Sequence, residues 1–128
     1  MKVKLETTIP ETSVREIEAD DILFFSDSGE KIVVFFKDGY TSEVSEISKK
    51  LNQTLARAGF QPFASGFSDI LLNMKNVKEF RHLGLDIEIE EDVYSVKFID
   101  ASDATTSIQT SMPNEELETM RNQAQRHQ

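Results

Sequence analysis

The stretch Asp21-Ile22-Leu23-Phe24-Phe25-Ser26-Asp27-Ser28-Gly29-Glu30-Lys31-Ile32-Val33-Val34-Phe35-Phe36 decides the fold. Two runs of β-branched and aromatic residues flank a short segment of Ser, Asp and Gly. Such runs favour extended backbone, and the small polar residues between them supply a turn. The pair reads as a β-hairpin. Neither run alternates with polar residues, so both strands are expected to be covered on both faces.

Working towards the N-terminus, Met1, Val3 and Leu5 alternate with Lys2, Lys4 and Glu6. A period of two predicts a strand with one buried face, closed by Pro10. Val14 and Ile17 lead into the hairpin. Towards the C-terminus, Asp38-Gly39 predicts a tight turn, because Gly tolerates positive φ. A short strand is expected near Tyr40-Thr41. Val44, Ile47, Leu51 and Leu55 then fall on one stripe of a 3.6-residue period, which predicts an amphipathic helix over 43–58. Ser42 is its expected N-cap, Glu43 and Glu46 suit the positive end of the dipole, and Gly59 suits a left-handed C-terminal cap.

The segment from Phe60 carries Pro62, which discourages helix. Ile70 to Met74 reads as a buried strand and Lys75-Asn76 as a turn. Leu85, Ile87 and Ile89 alternate with Asp86, Glu88 and Glu90, predicting a half-buried strand turned by Glu91-Asp92. The return strand is Val93 to Ile99, with Tyr94, Val96 and Phe98 on one face. Residues 100–107 read as a loop, Ile108 as a last short strand, and 113–125 as a terminal helix with Leu117, Met120 and Ala124 inward. Hairpin-length connections favour antiparallel pairing. The expected class is mainly β, with antiparallel strands, one internal amphipathic helix and a C-terminal helix.

The chain has 128 residues, enough for one domain and hardly two. Nine Phe residues help to supply the material of a core. The formal net charge is −9, which argues against a generic nucleic-acid binder with a basic surface. With no Cys, a disulfide framework, a thiolate metal site and a cysteine nucleophile are excluded. No apolar run reaches membrane-span length and no signal-peptide layout is present, so a cytoplasmic protein without membrane contact is expected.

Catalytic chemistry is equally sparse. His82 and His127 stand apart, and a lone exposed His is usually a solvated surface residue. The acids Glu88, Glu90, Glu91 and Asp92 lack calcium-loop spacing and read as the solvent face of a strand, where charge also opposes edge-to-edge aggregation. The glycines stand singly, without a phosphate-binding loop. No enzyme, cofactor or metal is expected.

The order "DILFF", polar loop, apolar strand, "ISKKLNQTL", Gly-Phe, "LLNM", "KNVKEF" resembles the LytTR DNA-binding domain of bacterial transcription regulators. The likeness covers about residues 14–82 and continues more weakly through 85–99 to Ser107-Ile108-Gln109. It implies one domain over 1–128, with a core of about 14–110 and a helical tail over 111–128. It also implies antiparallel strands arranged as small stacked sheets, and promoter double-stranded DNA bound through loops. By this likeness the DNA-contacting residues are Ser28, Lys31, Ser65, Ser68, Lys75, Lys78 and Gln109.

One departure bears on affinity. LytTR domains have a basic stretch of the pattern Phe-x-Arg-x-His-Arg-Ser ahead of their Leu/Val-Val-Asn strand. Aligned on Asn73, this chain has Phe63, then Ser65 and Ser68 for the arginines, Phe67 for His and Asp69 for Ser. Lost cations weaken phosphate binding, although a serine still donates without charge. Lys75, Lys78, Arg81 and His82 form a local basic cluster opposed by Glu79. Residues 86–103 carry seven acids and one base, so the acidity is partly concentrated. Dimerisation through the terminal helix would sum weak contacts. The alternative is a protein-interaction or self-association module, with Phe63 and Phe67 beside Gly66 as an apolar patch and Phe63 also fitting a core position.

Overall fold

The computed structural model describes residues 1–66, 68–88 and 90–126. The strands are β1 Lys2–Ile9, β2 Ser13–Glu18, β3 Ile22–Asp27, β4 Ile32–Phe36, β5 Thr41–Val44, β6 Phe60–Ser65, β7 Ser68–Asn73, β8 Val77–Asp86, β9 Glu91–Phe98 and β10 Ala101–Thr110. The helices are α1 Lys49–Arg57 and α2 Asn114–Arg126. The class is mainly β, as the sequence predicts, and all the paired strands are antiparallel. The ten strands form one hydrogen-bonded ladder in the order β2-β1-β5-β4-β3-β7-β6-β10-β9-β8.

The ladder carries two cores, and β3 supplies both. Ile22 pairs with Phe36 and Phe24 with Phe35, so β3 has one extra residue, a bulge at Leu23. The bulge breaks the two-residue alternation. Ile22 and Phe25 enter one core with Val3, Leu5, Val34, Val44, Leu55 and Phe60. Leu23 and Phe24 enter the other with Phe63, Ile70, Leu72, Phe80, Val96, Phe98, Ile108 and Leu117. All four residues Ile22 to Phe25 are buried, which is why the run has no polar member. Burying each such side chain contributes about 2 kcal/mol. Phe24 stacks on Phe35 at 4.3 Å and lies 5.7 Å from Phe98, tying the central hairpin to the C-terminal strands.

Several boundaries differ from the sequence reading. The helix begins at Lys49, not near residue 43. Ser48 is its N-cap, accepting from the Leu51 N–H, while Ser42 and Val44 lie buried in β5 between β1 and β4. Two flanking ladders satisfy the backbone of 41–44 better than a first helical turn would. Ile47, Leu51 and Leu55 keep the predicted stripe and pack on the sheet. Gly59 has φ +102, the expected left-handed cap.

Within the 100–107 segment, 101–107 is strand, not loop: Thr105, Thr106 and Ser107 pair with Lys97, Val96 and Ser95. Of the strand expected over Leu85–Ile89, Leu85 and Asp86 form the end of β8, whereas Ile87 and Glu88 lie in the turn before Glu91, which pairs with Asp86. Leu85 is exposed rather than half-buried, since this end of the β8–β9 hairpin runs past the core. Ile89 lies outside the described residues. Val3 and Leu5 of β1 and Leu117 of α2 are buried in the two cores, as their periodicity predicts.

Candidate nucleic-acid interface

At one end of the central strands the register sets four side chains in a row. Asp27 of β3 is opposite Asp69 of β7, Asp69 is opposite Ala64 of β6, and Ala64 is opposite Gln109 of β10. Directly opposed residues share a face, so the row spans four strands and roughly 14 Å. On the opposite face the Ser26 hydroxyl donates to the Ser68 hydroxyl at 3.3 Å, and Ser65 pairs with Ser68.

The row and the adjoining turns line a depression of about 360 Å³ formed by Asp27, Ser28, Gly29, Ala64, Ser65, Gly66, Ser68, Asp69 and Gln109. Four residues that the LytTR likeness assigns to DNA contact, Ser28, Ser65, Ser68 and Gln109, therefore meet in one place. Lys31 stands on the same turn as Ser28. The Ser28 N–H donates to the Lys31 carbonyl at 3.1 Å, and the Lys31 N–H to the Ser28 hydroxyl at 3.4 Å. Gly29, at φ +88, takes the conformation this turn demands, with its N–H held at 2.9 Å by the Asp27 carboxylate. The Lys31 side chain is exposed and makes no ion pair among the described residues.

Lys75 and Lys78 lie elsewhere. They follow the far end of β7, roughly 20 Å along the strand from Ser68. The Lys75 stem covers Gly59, where an added Cβ would come within 3.3 Å of it, and the Lys78 carbonyl accepts from Arg121 of α2. Neither lysine lines the depression. His82 is held by Asp92, 2.8 Å away.

The residues that sequence reasoning passed over are Asp27 and Ala64. Asp27 reads as turn chemistry, and nothing in the linear sequence sets it against Asp69. The apolar patch loses one of its members: Phe63 is core, 7% exposed. Phe67 lies outside the described residues, as does His127. A larger cleft of about 760 Å³ between the β1–β2 hairpin and the β4–β5 turn contains none of the predicted contacts. Its cations Lys2, Arg15 and Lys37 are offset by Glu16, Glu18, Asp21 and Asp38. We therefore place the candidate site at the smaller depression.

Among the described residues no group of three His, Asp or Glu side chains is placed to hold a metal ion, and no helix is long and apolar enough to cross a membrane. The chain matches no family model, no curated protein and no solved structure. The LytTR likeness rests on the residues quoted above.

Proposed function

We propose that the chain is a non-enzymatic transcription regulator that binds promoter DNA at the depression between the β3–β4 and β6–β7 turns. The observation that carries this reading is convergence: Ser28, Ser65, Ser68 and Gln109, distant in sequence, line one open hollow. Its chemistry suits base edges more than phosphates. Gln109 can pair bidentately with adenine, and the carboxylates of Asp27 and Asp69 can accept from the cytosine amine. Lys31 supplies the phosphate contact, alone among the seven in carrying charge at this end. With so few cations, affinity is modest and the salt slope shallow.

A mobility shift with the DNA upstream of the protein's own coding region tests this. A shift should appear at low salt and fade as salt rises. Lys31→Glu should weaken it uniformly across sequences and reduce the salt slope by about one. The absence of a shift at low salt, or unchanged binding by Lys31→Glu, overturns the assignment.

A second reading, the protein-interaction module, is favoured by a different observation. No Lys or Arg lines the depression, and Asp27 and Asp69 oppose each other there. Such a lining suits a cationic protein segment better than a phosphate backbone. Failure of DNA binding by the intact fold hands the depression to this reading.

A further inference from the structure

β8 is the last strand of the ladder, so one of its edges has no neighbouring strand among the described residues. Helix α2 covers the beginning of that edge. Arg121 donates to the Lys78 carbonyl, and Gln125 donates to the Val77 carbonyl at 2.8 Å. Beyond Lys78, among the described residues, β8 hydrogen-bonds only to β9 or within its own turn. This free length carries large apolar side chains in solvent: Leu83 is 58%, Leu85 60% and the adjoining Ile87 84% exposed.

Charge is ordered along the same edge. Lys78 and Arg81 lie before the leucines, while Asp86, Glu88 and Glu90 follow them. Glu79, the acid in the basic half, is offset by Lys97 at 3.6 Å. The edge therefore reads cationic, apolar, anionic. An antiparallel copy of such an edge is its own complement, which is what a two-fold symmetric interface requires.

We propose that β8 pairs with β8 of a second copy of this chain, antiparallel, about a two-fold axis near Gly84. Leu83 of each copy then lies against Leu85 of the other. Arg81 of each copy meets the turn that carries Glu88 and Glu90 in the other, and Lys78 adds to the positive charge behind it. The register shift between His82 and Gly84 restricts the main-chain bonds to short runs on either side, so the leucines and the charge pairs set the alignment. Charges and bulges also serve to keep an edge unpaired, but an edge built only for that purpose has no use for exposed leucines. The α2 helix does not provide this contact, because its apolar stripe, Leu117, Met120 and Ala124, packs on the chain's own core. The inference does not depend on DNA binding.

Charge exchange tests it on the full chain by sedimentation equilibrium. The wild-type chain should self-associate as concentration rises. Lys78→Glu with Arg81→Glu should weaken the dimer by about tenfold or more, and so should Glu88→Lys with Glu90→Lys, because each set opposes like charges. Mixing the two variants at equal concentration should restore a dimer, since both charge contacts are then attractive. That recovery also excludes misfolding as the cause of the losses. A wild-type monomer at every concentration, a dimer unaffected by either set, or a mixture that fails to recover overturns the proposal.

Discussion

The two ends of the β3–β7 strand pair are both polar, and they behave in opposite ways. At one end, the Asn73 amide donates to the carbonyls of Ala19 and Ile22 at 3.2 and 2.9 Å. The Asn76 amide donates to those of Asp20 and Ile22 at 2.8 and 2.9 Å. Both asparagines are buried and both are satisfied. At the other end Ser68, Asp69 and Ser28 line an open hollow. A buried polar group must find its partner within the chain, whereas an open one is free for a ligand. The difference separates scaffold from candidate site along a single pair of strands.

The strongest way to break this comparison is at the closed end. Asn73→Ala strips two buried carbonyls of a donor and should cost about 3 kcal/mol, read from the urea midpoint. Asn76→Ala should cost somewhat less, because the Asn73 side-chain oxygen also accepts from the Lys75 N–H, a third bond that Asn76 lacks. Neither change should alter the proposed binding at the open end by the folded fraction. A loss below about 1 kcal/mol for Asn73→Ala would mean that water replaces the amide and that the end is not closed.

The closed end shows how far the sequence can be read. The run from Ile22 to Phe36, the strand over Ile70 to Asn73, the Tyr94-Val96-Phe98 face and the terminal helix were all legible, because burial leaves a periodic or continuous apolar signature. The bulge at Leu23 was not, since a run buried on both faces hides its own alternation. The first part of β10 was missed, although Ile108 was read as strand, because Ser, Asp, Ala and Thr carry no apolar pattern and the backbone there is recruited by β9 alone. The helix start was misplaced because Val44 fits both a helical stripe and a buried strand. At the open end, no pattern in the sequence marks Ser28, Ser65, Ser68 and Gln109 as neighbours, and the hollow they line is a proposed site. The row that joins Asp27 to Gln109 depends on strand order, which no local spacing encodes.

A smaller effect sharpens the rule for buried polar groups. Tyr94 is buried in β9, and its hydroxyl donates to the Met112 carbonyl at 3.1 Å, one bond where the Asn73 side chain makes three. Tyr94→Phe should therefore cost about 1 kcal/mol at neutral pH. Burial, and then the nearby Asp92 carboxylate, raises the Tyr94 phenol above its ordinary 10.0. The unfolded chain releases this proton first. Stability is thus unaffected by the group below pH 10.0 and declines as pH climbs from there through the folded value. Urea titrations on both sides of that pH should show the decline in wild type and a flatter one in Tyr94→Phe. Equal declines would assign the alkaline loss to other groups.

The smallest effect falls at the open end. Asp69 stands directly opposite Asp27, and among the described residues its carboxylate accepts no hydrogen bond, whereas Asp27 holds the Gly29 N–H. Like charges facing across a ladder repel, so Asp69→Asn should stabilise the chain by about 0.5 kcal/mol. The gain should shrink as salt screens the pair, which urea titrations at low and high salt would detect. A loss of stability instead would show that Asp69 already has a partner within the fold, and the hollow would then belong with the closed end. A gain would mean that the chain carries an acid at a cost to its own folding. Such a residue is explained by what it touches outside the fold, be it a base edge or a cationic segment of another protein.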